Sequence, residues 1–126
     1  MSRIYEEIEV EGHKVRVKID SGSDFPLCLR RETIEQLGLK DSGKKALLIR
    51  EEYGKAIQEP TPIYLAEIKV NGCPMFVERV TEAFGENLLG HPILQLLGAK
   101  VDEKNDKLEI NCPPSFRTGE LREGDY

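Results

Sequence analysis

Val15, Val17 and Ile19 alternate strictly with Arg16 and Lys18, and Ile4, Ile8 and Val10 lie among Glu6, Glu7 and Glu9. Only an extended chain sends every second residue to the same face, so this patterning commits the start of the chain to half-buried strands. The tight connection Glu11-Gly12-His13 between the two runs predicts an antiparallel hairpin over residues 3–19. Asn71-Gly72, the strongest two-residue hairpin signal, joins residues 67–70 to 75–77. Residues 46–49 and 62–66 read as strands flanking a polar stretch, Arg50 to Lys55, and Gly54 suits the tip of the long exposed hairpin they would form. A short apolar strand at 87–90 and a last hairpin, 99–101 with 107–110, complete the strand set. Helical spacing occurs only twice. Residues 30–37 carry Ile34 and Leu37 and stop at Gly38; the second helix starts near Pro92, carries Leu94 and Leu97, and stops at Gly98. The expectation is a mainly β fold with two short helices.

A length of 126 residues accommodates one domain. Residues 1–111 carry the periodic segments. From 112 to 126 the composition shifts to prolines, glycines and scattered charges, which predicts a flexible tail. With 18 basic against 23 acidic residues and a net charge of −5, the chain lacks the basic surface that nucleic acid requires. No apolar run approaches the ~20 residues of a membrane span. The opening Met-Ser-Arg-Ile-Tyr-Glu-Glu lacks the apolar core of a signal peptide, so a cytoplasmic location is expected, without membrane association. Cys28, Cys73 and Cys112 show no C-x-x-C pair and no neighbouring His, which points to inert thiols rather than a disulfide framework or a zinc site.

The segment Asp20-Ser21-Gly22-Ser23-Asp24 follows directly on a predicted buried strand. A calcium loop beginning at Asp20 fails, because Phe25 falls where glycine is needed and Arg31 where the bidentate Glu should stand. A serine nucleophile is disfavoured, since neither Ser21 nor Ser23 lies in G-x-S-x-G and only His13 and His91 are available as base. A structural turn, with Asp20 accepting local amide hydrogen bonds, explains the composition without any chemistry. The remaining chemistry is a carboxylate dyad, which needs an aspartate at the end of a buried strand, a hydroxyl to brace it and a glycine that allows close approach. Asp20, Ser21 and Gly22 supply these.

Asp20-Ser21-Gly22, followed by an apolar run, a helix, a long hairpin and then Leu-Leu-Gly-x-x-x-Leu-x-x-Leu-Gly at 88–98, resembles the retroviral-type (retropepsin-like) aspartic proteases, especially their single-domain prokaryotic relatives of clan AA. The resemblance covers about residues 3–111. It implies a closed β-barrel of the acid-protease fold, one lobe per chain, and no cofactor or metal. It also implies a homodimer, because the second half of the chain echoes the first at Leu88-Leu89-Gly90 without an aspartate. Two copies of Asp20 would meet across a two-fold axis and activate a water against a peptide bond. By the same resemblance Ser21 braces the partner loop, Gly22 leaves space for substrate, and Ser23 and Asp24 bind the peptide main chain. Tyr53 and Gly54 would tip a flap, here charged by Arg50, Glu51, Glu52 and Lys55. His91-Pro92 stands where retroviral members carry Arg and then Asp or Asn, so His91 would support the dimer with a titratable charge. The alternative function is a non-catalytic dimer of the same fold that binds a peptide or partner protein in its groove.

Overall fold

The computed structural model describes residues 4–102 and 104–112; of the expected tail, 112–126, it describes Cys112 alone, and residues 113–126 lie outside the described residues. In chain order the elements are β1 (Tyr5–Val10), β2 (His13–Asp20), β3 (Leu27–Arg30), α1 (Arg31–Leu37), β4 (Lys40–Glu52), β5 (Lys55–Val70), β6 (Cys73–Ala83), β7 (Leu88–Gly90), α2 (His91–Leu96), β8 (Lys100–Asp102) and β9 (Lys107–Glu109). The first seven strands form one sheet in the order β1-β2-β7-β3-β6-β5-β4. β1 also pairs back onto β5, Glu9 with Lys69 and Val10 with Ile68, which closes the sheet into a barrel and leaves β4 hanging from β5. Closure fills the interior with the apolar half of each alternation: Ile8, Val10, Val17, Ile19, Val70 and Val80 are all within 2% of complete burial. At roughly 1.5–3 kcal/mol for each such side chain, this interior is the main force behind the fold.

The predicted hairpins are present. Glu11-Gly12 and Asn71-Gly72 both adopt positive φ at both turn residues, the conformation that matches the twist of the flanking strands. α1 ends as expected at Gly38, whose φ of 60° lets its amide reach back to Glu35 O. One expectation changes: residues 55–70 are a single strand where the sequence suggested two short ones. Pro60 and Pro62 do not break it. They oppose Leu47 and Lys45 of β4, and β6 joins β5 only from Tyr64 onward, so the missing N–H groups fall on a side that carries no partner.

The cysteine expectation is overturned. Cys73 and Cys112 form a disulfide with a Cα–Cα distance of 5.6 Å. Their separation of 39 residues carries no spacing signature, and it is the fold that brings them together. After α2 the chain turns through the β8–β9 hairpin and packs Leu108 and Ile110 against the barrel, which returns Cys112 to the start of β6. Cys28 is the free, buried thiol. Reducing the bond, or Cys73→Ser, is expected to lower the unfolding free energy by about 2–4 kcal/mol, as for a closed loop of this size. Urea unfolding with and without a dithiol reductant checks this.

The β8–β9 turn is held by Asp102, whose Oδ2 accepts from Asn105 Nδ2 at 2.8 Å and whose Oδ1 accepts from Asn105 N–H at 3.2 Å. These bonds, the side-chain one first, hold the Asp102 carboxyl below the usual aspartate range. A lowered folded value means that the stabilisation is present above the ordinary aspartate range and is lost as the pH falls through the folded value. Amide exchange at Asn105, normalised for its intrinsic pH dependence, should therefore lose protection between about pH 5 and pH 2.

Candidate functional site

β2 ends on Asp20, whose parallel register partner is Gly90, the last residue of β7. β7 lies parallel to β2 and antiparallel to β3, so the chain leaves β2, loops through residues 21–26 and returns on the other side of β7. Two backbone hydrogen bonds tie this loop down: Gly90 N–H donates to Pro26 O and His91 N–H donates to Ser23 O, both at 2.9 Å. Close approach of the two segments demands glycine at 90. A Cβ there would run into the Phe25 carbonyl and stand 3.1 Å from Ser23 O.

Inside the loop, Gly22 N–H donates to Asp20 Oδ1 at 3.0 Å and Ser23 N–H donates to Asp20 O at 3.2 Å. The half-buried Asp20 is thus oriented by its own turn, while Ser21, Gly22 and Asp24 are exposed beside it. Ser23 Oγ turns away from this carboxylate and donates to Phe25 O at 3.3 Å. It lies 3.9 Å from Cys28 Sγ, which meets Thr81 Oγ1 at 3.3 Å. Thr81 is fully buried, so a string of small polar side chains runs from the barrel interior to the underside of the loop. The Arg79 guanidinium covers the Phe25 ring at 5.1 Å.

Asn87 is a positioning residue that sequence reasoning passed over as part of a strand. Its Oδ1 accepts from Arg30 N–H at 2.8 Å and its Nδ2 donates to Arg16 O at 3.3 Å, while its own carbonyl accepts from Lys18 N–H at 2.8 Å. It therefore sets the entry of β7 between β2 and the end of β3. The available signal was an amide, able to donate and accept at once, directly before Leu88-Leu89-Gly90.

The structure gathers Asp20, Ser21, Gly22, Ser23, Asp24 and the His91 backbone into one cluster. The Tyr53-Gly54 tip is not part of it. Both residues take positive φ, 52° and 74°, at the end of the β4–β5 hairpin, and Tyr53 is 95% exposed. His91 and Asp24 both face solvent, and among the described residues no ion pair joins them. No helix of the described residues is long and apolar enough to cross a membrane.

Solved structures share this architecture. The chain is similar to EIAV protease complexed with the inhibitor HBY-793, with a TM-score of 0.63 and 22% identity over 80% of this chain and 93% of that one. It is similar to the retroviral protease-like domain of Ddi1 from Leishmania major, with a TM-score of 0.57 and 18% identity over 87% of this chain and 88% of that one. A third match is the Simian Foamy Virus (mac) protease, with a TM-score of 0.57 and 22% identity over 76% of this chain and 97% of that one. No protein-family model and no curated protein matches the chain. At these identities the likeness shows the fold, which is the mainly β retropepsin-like fold.

Proposed function

We propose that this chain is one half of a homodimeric aspartic endopeptidase, akin to the single-domain prokaryotic members of its fold. The observation that carries the reading is Asp20 at the end of β2, held by Gly22 N–H in a loop that Gly90 and His91 clamp from behind. Fixing one carboxylate oxygen with a backbone amide leaves the group pre-oriented toward a water, which general acid–base chemistry requires. Peptide hydrolysis of this type needs two carboxylates sharing one proton, and the chain has a single Asp-Ser-Gly. Symmetry supplies the second.

In the dimer one Asp20 takes a proton from the water as it attacks the scissile carbonyl, and the other donates a proton to the carbonyl oxygen. Ser21 braces the partner loop, Gly22 admits the peptide, Ser23 and Asp24 engage its main chain, and Tyr53-Gly54 closes over it to exclude bulk water. His91 supports the dimer from its place beside Ser23. The substrate is an extended peptide or an unfolded protein, and no cofactor takes part. We place the protein in the cytoplasm, where a disulfide is uncommon and the Cys73–Cys112 bond would meet reductant.

Incubation with an unfolded protein across pH 4 to 7, beside Asp20→Asn, tests the reading. Cleavage by the native chain alone supports it, and cleavage by both removes Asp20 from the mechanism. Inactivity of both favours a groove that binds a peptide or partner protein without cutting it.

A further inference from the structure

β4 is the one strand of the large sheet that pairs on a single side among the described residues. Its outer edge therefore presents unpaired backbone groups. Which groups face outward follows from the hairpin. The Tyr53-Gly54 turn sets Glu52 C=O against Lys55 N–H, and the pairing then runs without interruption from Glu52↔Lys55 to Lys45↔Pro62. Because hydrogen bonding alternates along an antiparallel pair, Leu48 and Ala46 bond to β5, while Lys45, Leu47, Ile49 and Glu51 direct their N–H and C=O groups outward. The side chains of those same four residues share one face. Leu47 is 65% exposed and Ile49 69%, so two aliphatic side chains stand in solvent at the centre of the open edge, with a lysine before them and a glutamate after.

We propose that a second copy of this chain pairs with β4 antiparallel, about a two-fold axis through Leu48. In that register Leu47 lies opposite Ile49 of the second copy and Lys45 opposite Glu51, and symmetry repeats each pair. Each of these residues already points its backbone groups outward, so every paired position completes a hydrogen-bonded rung. Four exposed aliphatic side chains merge into one cluster with an ion pair at each end. Sliding the register by two residues one way places Lys45 on Ile49, and the other way places Leu47 on Glu51. A parallel arrangement in register stacks lysine on lysine. Lysines on an edge strand ordinarily keep other strands away, but here the acids at the far end of the same strand turn that repulsion into attraction for an antiparallel copy.

The contact is separate from the Asp20 cluster and does not rest on the catalytic reading, although it lies on an arm of the hairpin whose Tyr53-Gly54 tip closes over the peptide in that reading. Sedimentation equilibrium of the native chain, Lys45→Glu, Glu51→Lys and the double exchange Lys45→Glu/Glu51→Lys tests it. Each single exchange places like charges opposite one another at both ends of the contact, so its dissociation constant is expected to rise about tenfold. The double exchange restores the native value. In the native assembly the Leu47 and Ile49 amides exchange slowly, and they exchange quickly in both single variants. The proposal is overturned if the four proteins associate alike, if the native chain shows no contact sensitive to these exchanges, or if the double variant stays as weak as the singles. Repeating the series in the Asp20→Asn background keeps this outcome apart from that of the cleavage test.

Discussion

Under the proposed function, Asp20→Asn is expected to slow cleavage of an unfolded protein by a factor of about 10²–10⁴, with the upper end favoured, because in a homodimer one substitution would alter both members of the dyad. The same change leaves the loop standing. An Asn amide oxygen accepts the Gly22 N–H as the Asp20 carboxylate does at 3.0 Å, and Asp20 is only half-buried, so unfolding stability should move by no more than about 0.5 kcal/mol. Activity and stability thus separate, which distinguishes lost chemistry from lost structure. A mixed dimer of native and Asp20→Asn chains sharpens the test: it retains one carboxylate and should be as inactive as the double-Asn dimer. A mixed dimer with half the native rate would show that each Asp20 works alone.

Gly90→Ala is expected to cost about 3 kcal/mol or more and to abolish cleavage with it. The new Cβ would occupy the place of the Phe25 carbonyl, and Ser23 O at 3.1 Å closes the next direction of escape. Backbone has to move, and the backbone concerned is the loop that begins at Asp20. The Pro26 and Ser23 carbonyls would lose the amides of Gly90 and His91 together. Urea unfolding measures the first effect and the cleavage assay the second. A Gly90→Ala chain of native stability would show that the loop yields easily and that the clamp described above is weak.

How much of the fold is legible in the sequence depends on how local its determinants are. The alternation of Val15, Val17 and Ile19, the Asn71-Gly72 turn and the Gly38 stop each act within a few residues, and each produced the structure expected of it. The same holds for the turn within the candidate site, where Asp20 and Gly22 are two residues apart. What stayed illegible depends on distant partners. That the strand beginning at Pro62 reaches back through Pro60 to Lys55 is not visible until the unpaired side of β5 is known. Cys73 and Cys112 look inert until the β8–β9 hairpin returns the chain to β6. Asn87 looks like a strand residue until Arg30 and Arg16 converge on its amide. Thr81, unremarked in the sequence, and Cys28, read there as an inert thiol, become a polar pair only because β3 and β6 lie side by side in register.

The insertion of β7 between β2 and β3 has a consequence for how the molecule comes into being. Lys18 pairs with Leu88 and Leu27 with Leu89, so contacts of very long sequence separation are concentrated at three residues near the end of the domain. Pairings of that kind are entropically expensive to close and form slowly, after the local hairpins. During synthesis the β1–β2 and β4–β5 hairpins can assemble as they emerge, but the loop at Asp20 has nothing behind it until Gly90 and His91 have left the ribosome. The carboxylate is therefore ordered last. A nascent chain carries Asp20 for most of its synthesis without the frame that holds its loop in place, and a product truncated before Leu88 never acquires that frame.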